Sequence, residues 1–407
     1  MSNMRAFLLL LCLAQLYECS IDDNLVFDPD NFINDLLGIG QDPDMKLNVT
    51  ELISSKGYPV EEYIVQTRDG YLLGVQRIPR KGKKVVFLQH GLLSSSTDWV
   101  INFPQQSLAY ILADAGYDVW LGNIRGNTYS RKHVKYSPKS REFWDFSFDE
   151  MAEYDLPAMI DFALNVSGQN ELYLIGHSQG TTTSFALLSS KPEYNKKVKL
   201  FIGLAPVTTV GYITTAIRYI APLTKELDIL FELVGWDEFL PNDIFMKWLS
   251  QLVCDTKLKF VCEDVIFLVC GTDYSQLNKT RLGVYVHHTP AGSSTRSVVH
   301  YGQMVNSKKF LKYDYGKKKN LLHYNQTTPP EYFTENITTN VALFWSVNDK
   351  LADPQDVHLL EGRLKTLVSS IRVNSSDWNH LDFVWGLDAR SLVYEGVLSL
   401  LQKFIYT

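Results

Sequence analysis

The chain has 407 residues, of which 45% are hydrophobic, 13% aromatic and 21% charged, a composition typical of globular proteins. This length exceeds what one small hydrophobic core needs, and it indicates roughly two domains. The formal net charge of -6, from 39 basic and 45 acidic residues, argues against nucleic-acid binding, because a nucleic-acid-binding domain carries a basic patch or stripe.

The first 19 residues predict a secretory signal peptide. Arg5 gives it a basic start, and a short apolar run follows over residues 6–14. That run is too short to span a bilayer, and no later stretch has the ~20 apolar residues that a transmembrane helix needs. We therefore expect a protein of the secretory pathway with no transmembrane segment.

Passage through the secretory pathway changes the expected chemistry of asparagine and cysteine. Six Asn-x-Ser/Thr sequons are candidate glycosylation sites: Asn48, Asn165, Asn278, Asn325, Asn336 and Asn374. Beyond the signal peptide the cysteines are Cys254, Cys262 and Cys270. We expect one disulfide and one free thiol, with three buried thiols as the alternative, and the equal spacing leaves the pairing open. Because these spacings match no zinc motif, we predict no metal and no cofactor.

Up to residue 206 the chain alternates between predicted strands and helices. Two alternating strands joined by Arg68-Asp69-Gly70 predict a hairpin. The predicted strands are 58–67, 71–78, 85–93, 117–121, 172–175 and 198–206, and the predicted helices are 108–115, 148–163 and 181–190. Such alternation favours right-handed crossovers and a mostly parallel central sheet with helices on both faces.

Residues 207–334 break this alternation. Stretches rich in aromatic residues and leucine predict helices over 216–220, 227–234, 244–253 and 265–269. The alternation then returns with a strand over 341–346, a helix over 354–364, a strand over 370–373 and a terminal helix over 391–404. We therefore predict a core made of residues 20–206 and 335–407, interrupted by a mainly helical cap over 207–334.

A serine stands between two glycines in Gly176-His177-Ser178-Gln179-Gly180, after an apolar strand and before a helix. Such a strand-to-helix turn, a nucleophile elbow, exposes the serine on a strained backbone that leaves no room for side chains two residues away. The helix N-terminus directs its free N–H groups and positive dipole end toward Ser178. The pattern predicts an α/β-hydrolase fold with Ser178 as the nucleophile.

Acyl transfer by serine needs a histidine base and a carboxylate that holds this base in the right tautomer. In α/β-hydrolases the chain order is serine, acid, histidine, so both partners should follow Ser178 at the ends of later strands. Asp349 comes directly after the strand over 341–346 and is the predicted acid. His380 comes after the strand over 370–373 and is the predicted base.

Other residues of the same types have less favourable positions. Asp353 and Asp356 stand at the start of a predicted helix, where aspartate more often caps the helix than takes part in catalysis. His358 lies inside that helix and is the only other histidine that follows the predicted acid. His90 and His177 border the predicted site, where we expect them to line it and form hydrogen bonds.

The oxyanion hole is predicted from two backbone N–H groups. Leu92 lies in the loop that follows His90-Gly91, and Gln179 directly follows the nucleophile. The missing side chain of Gly91 lets this loop approach the reacting carbonyl. Loss of one such donor typically raises the barrier by about 2.7–4 kcal/mol.

Several separated motifs together resemble the acid lipase family, the gastric and lysosomal acid lipases. The motifs are Gly-His-Ser-Gln-Gly at 176–180 and the stretches 87–93, 125–128, 351–357 and 379–383, with further similarity at 290–293 and in the cysteine cluster. The resemblance covers the chain from about residue 58 to residue 404. It implies the same catalytic triad, Ser178, Asp349 and His380.

The resemblance also implies a Cys254–Cys262 disulfide, a free Cys270, a cap that carries a lid, and a secreted or lysosomal enzyme. We predict a monomeric serine-dependent lipase that hydrolyses the carboxylic ester bonds of neutral lipids, triacylglycerols or cholesteryl esters, through an acyl-enzyme. A short-chain or sterol-ester carboxylesterase with the same triad is the alternative enzyme. A non-catalytic lipid-binding protein is the alternative of another class.

The predicted lid covers about residues 242–271. Its apolar residues recur at close to helical spacing: Phe245, Met246, Trp248, Leu249, Leu252 and Val253. Such a stripe is ordinarily part of a core, but here it belongs to an insert and follows a predicted hinge at Leu240-Pro241-Asn242. We expect the stripe to cover Ser178 when closed and to meet a lipid–water interface when open.

Overall fold

The computed structural model describes residues 42–219, 221–224, 226, 237–240 and 270–405. Several sequence predictions lie outside these residues: the signal peptide, Cys254, Cys262, the helices over 227–234, 244–253 and 265–269, and all but the last two residues of the lid. The described residues form a large central sheet with helices packed against it.

Eleven strands occur in the described part of the chain. They are β1 Glu61–Gln66, β2 Tyr71–Ile78, β3 Val85–Gln89, β4 Asp118–Gly122, β5 Lys132–His133, β6 Leu172–His177, β7 Val198–Leu204, β8 Glu238–Phe239, β9 Ser293–Ser294, β10 Asn340–Trp345 and β11 Leu367–Arg372. Nine of them form one sheet in the order β1-β2-β4-β3-β6-β7-β10-β11, with β5 beside β2. β1, β2 and β5 are antiparallel, and the strands from β4 through β11 in this order are parallel.

The helices connect and cover these strands. The α-helices are α1 Val49–Ser55, α2 Leu108–Asp114, α3 Phe148–Glu150, α4 Leu156–Ser167, α5 Gln179–Ser190, α6 Leu282–His288, α7 Thr295–Ser307, α8 Lys317–Tyr324, α9 Pro354–Arg363, α10 Asp382–Trp385 and α11 Glu395–Lys403. Two π-helical turns, Met151–Asp155 and Arg390–Tyr394, lead into α4 and α11. The described residues also form short 3-10 turns: Pro43–Met45, Ser96–Trp99, Arg141–Phe143, Pro192–Lys196, Ala216–Tyr219, Ala221–Leu223, Lys279–Arg281 and Thr334–Asn336.

The composition of the strands follows their place in the sheet. β3 and β6 lie in the middle and are buried at every position, as expected for strands that are covered on both faces. β11, the parallel edge strand, alternates between half-buried and exposed residues, as does most of β1 at the other edge. The carboxyl end of β6, which leads into Ser178, therefore lies at the centre of one edge of the sheet.

Residues 207–334 contain three α-helices in their described part, α6, α7 and α8. The two strands there, β8 and β9, pair with each other and not with the central sheet. This arrangement agrees with an insert of a different type between β7 and β10. The boundaries of a cap domain stay a prediction.

The structure changes several predicted boundaries. The apolar run 85–93 is a strand only to Gln89, because residues 90–93 turn away from the sheet and Leu93 adopts a positive φ of 59°. β11 begins at Leu367, three residues before the predicted start, since an exposed edge strand lacks a strong apolar signal. Helix α1 was not predicted, although Asn48 and Glu51 form the capping box that starts it.

Candidate active site

Ser178 occupies a sharp turn between β6 and α5. Its backbone, at φ 53° and ψ -120°, lies outside the regions that residues with a side chain prefer. A Cβ on Gly180 would lie 2.2 Å from the carbonyl oxygen of Gln89, and a Cβ on Gly176 would lie 2.7 Å from the carbonyl carbon of Gly180. Both positions therefore require glycine, and the turn has the geometry of a nucleophile elbow.

The structure brings Ser178, His380 and Asp349 together in one hydrogen-bonded chain. His380 Nε2 lies 2.7 Å from Ser178 Oγ, and His380 Nδ1 lies 2.8 Å and 3.0 Å from the two carboxylate oxygens of Asp349. His380 and Asp349 are buried. An imidazole whose Nδ1–H donates to the carboxylate leaves Nε2 free to accept the serine proton.

Loops at the carboxyl ends of two neighbouring strands hold the acid and the base. Asp349 follows β10, and its Oδ1 accepts hydrogen bonds from the backbone N–H groups of Leu351 (2.9 Å) and Ala352 (2.8 Å). His380 lies between β11 and α10, and its backbone N–H donates to the carbonyl oxygen of Cys270 at 3.2 Å. The distance between the two side chains thus depends on the pairing of β10 with β11.

The alternative acids and base lie elsewhere in hydrogen-bond networks of their own. Asp353 is the N-cap of α9 and accepts from the N–H of Gln355 at 2.9 Å. Asp356 accepts hydrogen bonds from residues 209, 211 and 212. The His358 side chain is 57% exposed and contacts Glu361. None of these three side chains hydrogen-bonds to Ser178 within the described residues.

The loop after β3 lies against the nucleophile. A Cβ on Gly91 would be 3.1 Å from Ser178 Cβ and 3.5 Å from Ser178 Oγ, so the missing side chain permits this approach. Gln179 is the first residue of α5, where backbone N–H groups have no partner within the helix. Within the described residues, neither the Gln179 N–H nor the Leu92 N–H donates to a protein acceptor, so both are available to an oxyanion.

Two buried histidines support this geometry. The Nδ1–H of His90 donates to the carbonyl oxygen of Gly91 at 2.8 Å, and its Nε2 accepts from the N–H of Ile124 at 3.2 Å. His177 donates through Nε2 to the carbonyl oxygen of His380 at 2.9 Å. Burial lowers the pKa of His90 to about 4 and that of His177 to about 3, so both rings are neutral donors that hold the backbone of the site.

Sequence reasoning missed the contacts that the insert makes with this site. The N–H of Ala291 donates to the carbonyl oxygen of Leu93 at 2.6 Å, and the hydroxyl of Thr128 donates to the carbonyl oxygen of Ala291 at 3.3 Å. Two buried carboxyl groups, Asp273 and Asp382, also lie beside the base loop. The motif at 290–293 contains Ala291 and the motif at 379–383 contains Asp382, but neither motif indicates which residues they contact.

The remaining predicted sites are a cysteine thiol and the sequon asparagines. Cys270 carries a free, buried thiol. Five sequon asparagines are exposed, whereas Asn278 is half-buried; the exposed ones are Asn48, Asn165, Asn325, Asn336 and Asn374. In the part of the chain that the structure describes, no group of three or more His, Cys, Asp or Glu side chains could hold a metal ion. None of the helices among the same residues has the length and apolar character needed to cross a membrane.

Comparisons with known proteins identify the family. Residues 84–387 match the family described as alpha/beta hydrolase fold, and residues 49–103 match the partial alpha/beta-hydrolase lipase region. The soluble variant of monoglyceride lipase from Saccharomyces cerevisiae has a TM-score of 0.54 at 15% identity, with 86% of this chain and 98% of that chain covered, which supports the fold alone.

Curated relatives are far more similar in sequence. Gastric triacylglycerol lipase of Rattus norvegicus is 46% identical over 378 residues, which cover 90% of this chain and 94% of the relative. Lysosomal acid lipase/cholesteryl ester hydrolase of Homo sapiens is 45% identical, with 89% and 92% covered, and lipase lipl-1 of Caenorhabditis elegans is 47% identical, with 90% and 94% covered. The chain therefore belongs to the α/β-hydrolase family of the gastric and lysosomal acid lipases.

Proposed function

We propose that this protein is a serine-dependent lipase that hydrolyses carboxylic esters of neutral lipids. The observation that carries the proposal is the chain of hydrogen bonds from Asp349 through His380 to Ser178. The names of the relatives, a triacylglycerol lipase and a cholesteryl ester hydrolase, support triacylglycerols or cholesteryl esters as the substrate class.

In the proposed mechanism Ser178 Oγ attacks the ester carbonyl while His380 Nε2 accepts its proton across 2.7 Å. Asp349 stabilises the imidazolium that forms and holds its tautomer. The N–H groups of Leu92 and Gln179 donate to the oxyanion. His380 then protonates the leaving alcohol, and water activated by the same imidazole hydrolyses the acyl-enzyme.

Four variants test the assignment of the triad. Ser178→Ala, Asp349→Asn and His380→Ala should each lower kcat by about 10⁴-fold or more, because the three residues act as a unit. His358→Ala is the matched control, since this second histidine is exposed and should leave most activity. All four are assayed on a chromogenic short-chain ester, with circular dichroism to confirm folding. Equal losses in folded His358→Ala and His380→Ala would contradict the assignment of the base.

We further propose that a mobile lid covers the site and opens at a lipid–water interface. Support comes from the apolar stripe in the sequence over residues 245–253 and from its place in the insert. An open lid would expose this apolar face, which costs about 25 cal/mol per Å² in water and is favourable against lipid. The rate on a short-chain ester should rise steeply once the ester exceeds its solubility limit. A plain saturation curve without a break at that limit would contradict the lid and leave the triad untouched.

Substrate choice is measurable with the same protein. Rates on triolein, cholesteryl oleate and a soluble short-chain ester over a range of pH would separate the two lipase activities from a carboxylesterase. Turnover of the soluble ester alone would favour the carboxylesterase. Folded wild-type protein without any turnover would favour a lipid-binding protein.

We also propose a glycosylated protein of the secretory pathway, secreted or lysosomal, with a disulfide between Cys254 and Cys262. The five exposed sequons and the free thiol of Cys270 support this proposal. An endoglycosidase should reduce the apparent mass of the protein expressed in a eukaryotic host. Peptide mapping without reduction should find Cys254 joined to Cys262, and a Cys262–Cys270 peptide would contradict the pairing.

A further inference from the structure

A buried asparagine, Asn127, joins the loop after β4 to the loop after β3. Its Nδ2 lies 3.0 Å from His90 Nε2, and it also donates to the carbonyl oxygen of Ser94 at 3.3 Å and to Asn123 Oδ1 at 3.0 Å. Its Oδ1 accepts from the N–H of Tyr129 at 3.0 Å. The Tyr129 N–H thus requires the amide oxygen and two acceptors require the amide nitrogen, so Nδ2 is a donor toward His90.

This donor determines which nitrogen of the His90 ring carries the proton. The N–H of Ile124 also points at Nε2, at 3.2 Å. Because Nε2 faces two donors it acts as the acceptor, and the neutral ring carries its proton on Nδ1. Nδ1 lies 2.8 Å from the carbonyl oxygen of Gly91 and donates to it. Asn127 therefore favours the tautomer that hydrogen-bonds to the loop after β3.

The carbonyl group that His90 holds belongs to the same peptide unit as a predicted oxyanion donor. This unit carries the carbonyl oxygen of Gly91 at one end and the N–H of Leu92 at the other. Because a trans peptide is planar, its C=O and N–H groups point in opposite directions. A hydrogen bond to the carbonyl oxygen therefore fixes the direction of the N–H, and by polarising the unit it strengthens the N–H as a donor.

The loop that carries Asn127 is itself anchored to the sheet and to a buried ion pair. Asn123 Nδ2 donates to the carbonyl oxygen of Gly74 in β2 at 3.0 Å. The backbone N–H of Arg125 donates to Asp155 Oδ2 at 2.9 Å, and the two side chains form an ion pair at 2.6 Å. The position of Asn127 is thus set by the fold.

We propose that Asn127 and His90 position the Leu92 N–H for the oxyanion. Asn127 holds the tautomer of His90, and the Nδ1–H of His90 holds the peptide unit that ends in the Leu92 N–H. Both are positioning residues, because they act through that N–H. The proposal rests on the proposed function, since an oxyanion forms only if the protein hydrolyses esters.

Such a role affects the transition state more than the bound ester. The oxyanion develops only when Ser178 attacks, so a misdirected Leu92 N–H lowers kcat and leaves KM nearly unchanged. It also weakens the binding of an alkylboronic acid, because the tetrahedral adduct with Ser178 places an oxygen where the oxyanion would lie. A loss of stability alone changes neither quantity in the folded protein.

Two substitutions of His90 form a matched pair. His90→Leu has no donor for the Gly91 carbonyl, and its kcat on a soluble chromogenic ester should fall by about 10²-fold, as for the loss of one oxyanion donor. The Kd of the boronic acid should rise by a similar factor. His90→Asn places an amide nitrogen near the former position of Nδ1, so its kcat should stay within about tenfold of wild type. Equal kcat in the two folded variants would overturn the role of the Nδ1–H.

Asn127→Leu tests whether the asparagine acts through His90. Its kcat should fall by about tenfold, because Nε2 loses a donor and the tautomer is less firmly held. In the His90→Asn background, which has no tautomer to hold, the same substitution should lower kcat by no more than about threefold. An equal loss in both backgrounds would show that Asn127 acts independently of His90 and would overturn the pair.

Asn320→Leu is the control for the loss of a buried amide. Asn320 and Asn127 are both 1% exposed. The Asn320 Nδ2 also donates to two oxygens, of Asp314 and Thr327, and its Oδ1 also accepts from a backbone N–H, that of Tyr315. Asn320→Leu should lose stability but keep the wild-type kcat. A fall of kcat as large as in Asn127→Leu would overturn the proposed positioning.

The tautomer can be measured without reference to activity. In ¹⁵N-histidine-labelled wild-type protein, the resonances that disappear in either His90 variant should show a protonated Nδ1 and an unprotonated Nε2. A protonated Nε2 with a bare Nδ1 would overturn the proposal, because the Gly91 carbonyl would then have no donor from the ring.

The outcomes separate this proposal from the proposed function. Wild-type protein that turns over no ester, like Ser178→Ala, would contradict the lipase itself. Active wild-type protein whose kcat is unchanged in folded His90→Leu would overturn the positioning pair and leave the lipase intact. If neither His90 variant folds, the kcat and the boronic acid Kd of Asn127→Leu, each compared with Asn320→Leu, decide the matter.

Discussion

Gly91→Ala should lower kcat strongly while the protein still folds. The new Cβ would lie 3.1 Å from Ser178 Cβ and 3.3 Å from His177 Nδ1, contacts that are tight by a few tenths of an ångström, and at an ordinary contact distance of 3.5 Å from Ser178 Oγ. Gly91 does not adopt a positive φ, so alanine fits the backbone. Such overpacking lowers the free energy of unfolding by about 1–3 kcal/mol, and a protein of this size remains folded after such a loss.

The effect on the reaction should be larger. The loop must move away from Ser178, and this movement displaces the neighbouring N–H of Leu92 from the oxyanion. Loss of one oxyanion donor lowers kcat by about 10²–10³-fold, or about 2.7–4 kcal/mol. We therefore expect Gly91→Ala to fold, to melt a few degrees below wild type, and to lose about 10²-fold or more in kcat with little change in KM.

A glycine far from the site provides the control. A Cβ on Gly362, which lies in α9, would meet nothing within 4 Å. Gly362→Ala should keep wild-type kcat and gain about 0.5–1 kcal/mol of stability. Thermal unfolding and steady-state kinetics on a soluble ester measure both variants. Wild-type kcat in folded Gly91→Ala would refute the placement of the oxyanion loop beside the nucleophile.

Two further variants test the framework of the site. Gly180→Ala should fail to fold, or its free energy of unfolding should fall by about 3 kcal/mol or more, because the new Cβ would lie 2.2 Å from the carbonyl oxygen of Gln89. The yield of secreted protein and its Tm measure this effect, and a wild-type Tm would contradict the prediction. Arg125→Met should lower the free energy of unfolding by about 3–5 kcal/mol, since it leaves Asp155, now paired at 2.6 Å, as an uncompensated buried charge. Urea denaturation measures this loss, and a change below about 1 kcal/mol would show that Asp155 is neutral.

The triad could be located from the sequence because parallel strands impose an order. Their carboxyl ends meet at one edge of the sheet, so a nucleophile after one strand and an acid and a base after two later strands must converge there. Asp349 and His380 could therefore be chosen over Asp356 and His358 from strand-end placement alone. The sequence also predicted the geometry of the elbow, because only glycine fits two residues before and two residues after the serine.

Other features depended on contacts between distant parts of the chain. The predicted strand 85–93 extends to Leu93 although the observed strand ends at Gln89, because the half-buried loop residues Leu92 and Leu93 have the composition of a strand. The path of residues 270–276 beside His380 and the burial of Asp382 depend on contacts between distant parts of the chain, and neither is encoded near Asp382. Only the folded chain shows them.

The insert contributes to the site at two points that affect the transition state. Its Ala291 N–H holds the carbonyl oxygen of Leu93 in the oxyanion loop, and the carbonyl oxygen of Cys270 holds the N–H of His380 in the base loop. An insert that only covered the substrate would influence binding of the ester. An insert that fixes the backbone of both loops also influences how well the oxyanion and the imidazolium are stabilised. Changes in this insert among related enzymes should therefore alter kcat together with substrate preference, because the same backbone segments determine both.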